Sequence, residues 1–529
     1  MLDAFARWWA AERDVLRPVA LVLLAICCAV FALGVPRLTI YGHDVFVSLD
    51  GGWRVLNGQR PGVDFFAQMG PAYYLLHAAG MSLAGGAASG LGYGTTLVAI
   101  LLAAWSFFLL RGRMAGLPFV LACLSLVLLA VAPFPLGHTL RQTAFAMKHN
   151  RYAFALAGLV LLECFLPSSP NDSPRKQFGG GLSTGLACAL LLFLKISYGL
   201  VALVLVALSI LLRRREHLRL TGLLGGALLF ALPMLVYLRF GLPALVREYS
   251  VLAAVQGQRI SFLAIPYRVY LDRFEALPVL LLTLLTATLP ALPSRRRVEL
   301  FLVCFFVLAA SALLSLTNTQ PGGMPLLAVM ALLLVNELTS ALRSPDRSAV
   351  PTLLCFGLLA VSIPLTCDAA GLAAGLWDKA YPSKPAFCFK APHLAALQFE
   401  DLKSPYTFND NGQAFVRFTE EGMRLVQAQA RPGESVRGMG MSNPFSYALL
   451  RPPPHGGAVN LSVTNVSRDA IASKQMLMGD VDLLLLPKYP ASERETLALV
   501  LARYPELLSR DYALLAESPN WKLYRRRSD

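Results

Sequence analysis

Charge is scarce in this 529-residue chain: Asp, Glu, Lys and Arg together make up 15% of it, against 56% hydrophobic residues. A soluble globular protein carries roughly a quarter of its residues as charges, so a mean hydropathy of +0.56 leaves a membrane as the solvent that suits this chain. Acidic residues are the scarcer sign, 32 Asp and Glu against 47 Lys and Arg. In a soluble protein a net charge of +15 would suggest nucleic acid, but here the Arg residues stand in short connectors between apolar runs. With no basic stripe interleaved with aromatics, that pattern argues for topology signals and membrane-lipid contacts, and against a nucleic-acid partner.

Several chemistries lack their signatures. No Walker, GxGxxG or Ser/His/Asp pattern stands out, and the nine cysteines include neither a CxxC pair nor a Cys/His group with metal spacing. Most of the cysteines lie inside apolar runs, where they act as small hydrophobes. Cys367 and Cys388 fall beyond the last run, and in an oxidising periplasm they are expected to form a disulfide.

What is present is a series of apolar runs of membrane-spanning length. Spans are expected near 18–36, 94–110, 115–132, 152–166, 182–196, 198–212, 220–238, 276–292, 299–316, 324–340 and 351–366. The first has no small-residue cleavage site after it and reads as a retained span. With the N-terminus cytoplasmic, Arg111, Arg113, Arg175, Arg213 to Arg215, Arg219, Arg295 to Arg297, Arg343 and Arg347 all fall on the cytoplasmic side. This register requires the run Leu182 to Leu212 to fold as two helices with Lys195 at the outer turn. It also makes Gly70 to Gly85 an interfacial helix, with Tyr73, Tyr74 and His77 at headgroup level.

The fold class is therefore a polytopic α-helical membrane protein of about 11 transmembrane helices followed by a C-terminal soluble α/β domain, divided at 1–366 and 367–529. The organism implied is bacterial, the membrane the inner one, and the C-terminal domain periplasmic. Within that domain Val436 to Met441, Val481 to Leu486 and Trp521 to Arg525 read as strands, and Glu493 to Leu508 as a helix.

The first outer loop, 37–93, concentrates the polar chemistry. Phe46, Leu49, Trp53 and Leu56 recur at helical spacing, so 44–57 is expected to be an interfacial helix with its apolar stripe toward lipid. Three carboxylates, Asp44, Asp50 and Asp64, are then held near the membrane surface, a costly arrangement that suits a general base. Asp50 can also pair with Arg54 at i,i+4, and Asp64 can cap a turn.

An Asp directly after the first span, an amphipathic helix, Gly58-Gln-Arg-Pro61 followed by Asp64, and a Gly70-Pro71 helix start resemble the layout of the GT-C fold. That fold belongs to glycosyltransferases that use lipid-phosphate sugars, protein mannosyltransferases and aminoarabinose transferases among them. The Asp-Glu pair common in the fold is absent, because Val45 follows Asp44. The resemblance implies transfer of a sugar from a polyprenyl-phosphate donor to a hydroxyl of a glycan, lipid or protein acceptor, with inversion. It implies Asp44 as the base; Asp50 and Asp64 are further catalytic candidates by their place near the membrane surface, where a carboxylate could also orient a divalent cation. The donor's phosphate then needs cations or hydrogen-bond donors at outer helix ends. Lys195, His149, Asn150, Arg151, Arg54, Arg259, Tyr267 and Gln320 are the substrate-binding candidates. A transporter or flippase for a lipid-linked saccharide would instead place charge along span centres, and a non-catalytic assembly protein could keep the fold without its chemistry.

Overall fold

The computed structural model describes residues 12–114, 116–167, 173–212, 217–257, 264–290, 292–318, 320–342, 349–400, 411–462, 465–468, 471–488 and 494–527. A helix stands at each of the expected spans. In chain order the helices are α1 (Glu12–Leu33), α2 (Val45–Leu56), α3 (Pro71–Leu83), α4 (Gly90–Leu110), α5 (Gly116–Val131), α6 (Lys148–Phe165), α7 (Pro174–Leu194) and α8 (Ile196–Leu212). They continue with α9 (His217–Tyr237), α10 (Leu242–Gly257), α11 (Ala264–Leu271), α12 (Arg273–Ala287), α13 (Ser294–Thr317), α14 (Pro325–Ala341) and α15 (Val350–Ala380). By length and composition, six among the described residues can cross a membrane: α1, α4, α7, α9, α13 and α15. Helices α5, α8 and α14 are shorter and apolar. Helix α6 is buried along its whole length, including charged residues at both ends.

The helix ends marked by Arg gather at one end of the bundle. Arg113 and Arg219 both pair with the buried Glu163 near the end of α6. Arg296 reaches Glu299, Glu337 and the Phe165 carbonyl, while Arg295 caps Leu212 and Arg297 caps Ala287. Residues far apart in sequence thus share one boundary, the geometry that the charge pattern required. At the opposite end the chain breaks at Lys195, which closes α7 in an extended conformation (φ −161°) before α8 begins.

Four expectations change. Helix α2 does not turn its apolar stripe to lipid: Phe46 and Leu49 are fully buried, with the Phe46 ring edge-on to Phe389 and tilted against Phe415, centroids at 5.8 and 6.1 Å. Its partner surface is the C-terminal part of the chain, which covers the loop as lipid would have. Tyr73, Tyr74 and His77 of α3 are likewise buried rather than at headgroup level. Glycines explain how: a Cβ at Gly51 would overlap the Tyr74 ring, one at Gly52 would meet the Met81 sulfur, and one at Gly80 would overlap the Gly90 carbonyl of α4. Finally α15 runs through the expected boundary at 366 to Ala380, and the two thiols are free. Cys388 lies near Arg37, which pairs with Asp378 at 3.2 Å. Cys367 sits eleven residues earlier on a continuous helix, about 16 Å back along its axis at 1.5 Å per residue, out of disulfide reach.

Beyond α15 come β1 (Phe387–Cys388), β2 (Gln398–Phe399), α16 (Gly412–Gln429), β3 (Val436–Gly438), α17 (Phe445–Ala448), α18 (Lys474–Met478), β4 (Leu483–Pro487), α19 (Arg494–Arg503), β5 (Tyr512–Glu517) and β6 (Trp521–Arg526). The last four strands form a mixed sheet in the order β3-β4-β6-β5, with β3 and β4 parallel. Strands β3, β4 and β6 and helix α19 fall where the sequence placed them; β5 and α16 were not anticipated. This region is stitched to the first loop by backbone bonds from Leu38 to Gln398 (2.7 Å) and from Phe66 to Gly457 (2.9 Å).

The α3/α4 crossing gives a direct test. Gly80→Val should destabilise the protein by about 1–3 kcal/mol or more, whereas Gly179→Ala, with open space around its Cβ position, should be neutral or slightly stabilising. Thermal melts in detergent would decide, and equal melting of the two variants would contradict the close crossing.

Candidate functional site

The end of the bundle that carries Lys195 is assembled from three segments. The strand-like stretch before Asp44 is zipped to the loop ahead of α6: Thr39 and Ile40 donate their backbone N–H groups to Thr143 O at 2.9 and 3.3 Å, and the Thr143 hydroxyl bonds Arg37 O at 2.5 Å. Each of these segments carries one non-glycine residue in the left-handed region, Tyr41 (φ 52°) and Met147 (φ 57°), and the two pack in one small apolar cluster. Such conformations cost of order 1 kcal/mol or more and persist where the surroundings fix them. Here they launch Asp44 on one side and Lys148-His149-Asn150-Arg151 on the other. The third segment is Gly70-Pro71: Gly70 N donates to Leu194 O at 3.0 Å, and its missing Cβ lets the first loop lie on the backbone of the Lys195 turn.

Asp44 ends a short 3-10 turn and is partly exposed, its Oδ1 3.2 Å from His43 Nε2. Tyr73 lies within electrostatic reach of Asp44, and its hydroxyl meets Ser48 Oγ at 2.8 Å. The Tyr73 ring touches both His77 and His149, with centroids at 4.4 and 5.5 Å. His149 in turn lies within electrostatic reach of Lys195 and His77. Tyr73, His77 and His149 thus form one cluster of ring contacts, with Asp44 within electrostatic range of Tyr73 and Lys195 within range of His149. Both ring nitrogens of His77, Nδ1 of His149 and both amide atoms of Asn150 are buried without a hydrogen-bond partner among the described residues, as are Ser197 Oγ and Tyr198 Oη beside the turn. Burial holds His77 neutral, its pKa pushed down to about 3. Unsatisfied buried polar groups each cost about 1–3 kcal/mol, so a cluster of them marks a site for a polar ligand.

Below the turn lies an apolar cleft of about 310 Å³, lined by Ala72, Leu76, Tyr152, Leu194, Phe230 and Met234 among others. His149 and Tyr152 are three residues apart and share a face of α6, so the imidazole stands above the cleft that Tyr152 lines.

The other candidates go elsewhere. Arg151 faces away from Lys195: its guanidinium bonds Leu129 O and Phe134 O, each at 2.8 Å, and Asp368 Oδ1 at 3.0 Å. Lys148, on the same face, donates to Ala132 O at 2.7 Å. Both cations cap the orphan carbonyls at the end of α5. Asp50 and Arg54 are fully buried and paired at 2.9 Å; Asn443 donates to Asp50, and Arg54 reaches the Pro454 and Gly456 carbonyls. The i,i+4 pair is thus the reading the geometry favours for Asp50, as a pin between the first loop and the C-terminal region. Asp64 takes the backbone N–H and guanidinium of Arg60 at 2.8 and 2.7 Å, closing a turn. Tyr267 is exposed on α11, and Gln320 is buried with its amide on Gly322 O and Gly323 O. Arg259 lies outside the described residues.

Sequence reasoning noticed His77 and Tyr73 only as interfacial residues; their i,i+4 spacing directly after Pro71 was the signal available. Glu248 of α10 is a further buried carboxylate, accepting from Ala67 N at 3.1 Å, and burial raises its pKa well above the usual range. Among the described residues no three His, Cys, Asp or Glu side chains gather as a metal-binding group.

Two variants separate structural from chemical carboxylates. Asp50→Ala leaves Arg54 buried and uncompensated and should cost about 3–5 kcal/mol of stability, while Asp44→Asn should leave the melting temperature unchanged. His77 gives a pH test. Its folded pKa lies below the unfolded value of about 6.5, so the unfolded state binds the extra proton and stability falls as pH drops from about 6.5 toward 3. His77→Phe should flatten that acid limb by about one proton, read from melting temperature against pH.

No family model matches the chain, and no curated protein matches it in sequence. Among solved structures it is similar to ArnT from Cupriavidus metallidurans bound to undecaprenyl phosphate, with 13% identity, a TM-score of 0.50, and coverage of 95% of this chain and 97% of that one. The apo state of the same protein aligns at 12% identity and a TM-score of 0.48, again over 95% and 97% of the two chains. At such identity the likeness speaks for the architecture alone: the chain shares the fold of that ArnT structure over nearly its whole length.

Proposed function

We propose that this protein is a membrane glycosyltransferase that moves a sugar from a polyprenyl-phosphate donor to an acceptor hydroxyl, with inversion at the anomeric carbon. The observation that carries the reading is the cluster of Tyr73, His77 and His149, with Asp44 in electrostatic range of Tyr73 and Lys195 of His149, close to an apolar cleft lined by Leu194 and Tyr152. A carboxylate, an ammonium and an apolar slot are the three things such a donor and acceptor need at one membrane boundary. Lys195 has no carboxylate partner among the described residues. An unpaired Lys at that depth is costly unless an anion completes it. The solved ArnT structure holds undecaprenyl phosphate, which is the same ligand chemistry.

In the reaction, Asp44 accepts the proton of the acceptor hydroxyl as its oxygen attacks the anomeric carbon. The bond between that carbon and the phosphate oxygen breaks, and the phosphate leaves with the bonding pair. Lys195 stabilises the charge that develops there, with the buried donors of His149 and Asn150 beside it. The isoprenoid chain lies in the cleft beneath the turn. Arg151 acts at one remove, by fixing the α5/α6 junction from which His149 and Asn150 project. The eleven helices from α1 to α15 outside the interfacial α2, α3, α10 and α11 span the bilayer. The Arg-marked end is cytoplasmic, and the site and the C-terminal α/β domain are periplasmic, in a bacterial inner membrane.

A transfer assay with a panel of polyprenyl-phosphate sugars tests this. Asp44→Asn should abolish turnover while donor binding persists, and Lys195→Ala should weaken donor binding by tenfold or more, about 1.4 kcal/mol. Full turnover by Asp44→Asn would remove the assigned base, and unchanged donor affinity in Lys195→Ala would remove the phosphate contact.

A further inference from the structure

At the opposite end of the bundle lies a second and larger cleft, of about 590 Å³, between α4, α6, α7 and α9. Its inner end is polar. Glu163, 2% exposed, holds Arg113 and Arg219 together on its carboxylate and backbone carbonyl, and both guanidiniums line the cleft. Lys176 lines it as well. The balance of these four side chains is three positive charges against one negative, and the shared carboxylate fixes the two guanidiniums in place before any ligand arrives. Toward the bundle centre the walls turn apolar. Leu101 and Phe108 of α4 are 47% and 71% exposed, so the cleft opens sideways where a bilayer would lie.

We infer that this cleft is a binding site for an anionic phospholipid of the Arg-marked leaflet, its phosphate on Arg113 and Arg219 and an acyl chain along Leu101 and Phe108. Charge complementarity selects the head: basic pockets between helices at such a boundary attract anionic headgroups, each basic side chain contributing about 1 kcal/mol. Gly179 and Gly180 make the room. No atom would meet a Cβ at Gly179, while one at Gly180 would collide with the Glu163 carboxylate. The cleft touches the outer one only at Leu101, and its polar end is at the far boundary from Lys195. The inference therefore needs only that the chain spans a membrane, and it holds or fails apart from the transferase reading.

The test is native mass spectrometry of the full chain released from bilayer discs containing phosphatidylcholine and phosphatidylglycerol in equal amounts. The wild-type protein should retain phosphatidylglycerol preferentially, and the Arg113→Gln/Arg219→Gln variant should lose that preference by roughly ten- to thirtyfold. Because that variant strands a buried Glu163, the triple variant Arg113→Gln/Glu163→Gln/Arg219→Gln, which leaves no uncompensated charge, should lose it equally. Equal retention of both lipids by the wild type would overturn the site, as would undiminished retention in the triple variant. Displacement of the lipid by inorganic phosphate alone would also overturn it, by marking a free-anion site instead.

Discussion

The architecture depends on the ends of one helix. Helix α6 is buried on every side, and in a bilayer a buried helix end has no water to complete its neighbours' backbone groups. Lys148 and Arg151 supply those bonds at one end by capping the last carbonyls of α5, and Glu163 gathers Arg113 and Arg219 at the other. Helices α5, α6 and α9 and the connector after α4 are thereby tied at two boundaries by charges that would be prohibitive if left alone. Once that frame is fixed, His149 is turned away from the carbonyls that hold Lys148 and Arg151 and lies within electrostatic range of Lys195.

This explains how a cluster of unsatisfied polar groups can exist so close to hydrogen-bonded cations. His149 and Asn150 sit between Lys148 and Arg151, which bond the carbonyls at the end of α5, and they inherit the position without such partners. The left-handed Tyr41 and Met147 hold the flanking segments at angles an ordinary turn would not give. The candidate site is thus carried by segments fixed through backbone hydrogen bonds, which suits chemistry that requires its groups to be held in place.

The C-terminal region is part of the same frame. Its aromatic residues cover α2, and its carbonyls at Pro454 and Gly456 hold Arg54, so the segment bearing Asp44 is clamped between membrane helices and a mixed sheet. An apolar stripe at helical spacing states that a face must be covered; it does not state by what. Lipid and protein satisfy the hydrophobic requirement equally well, and for that reason the orientation of α2 was not legible beforehand.

Taken alone, the sequence determined the helices, their alternation and the common boundary of the Arg-bearing ends, because hydrophobic length and connector charge are local properties. It also located the break at Lys195 and the first-loop carboxylates. The tertiary structure decided which polar groups face one another. Arg151 and His149 are two residues apart yet turn to different neighbours, since successive helical positions rotate by about 100°. Asp50 became a pin because Asn443, 393 residues away, came to meet it. Cys367 and Cys388 stayed apart because a helix ran on past its apolar stretch. The partners met at Asp50 and Arg151 come from distant segments, Asn443 and Asp368, which no local pattern encodes.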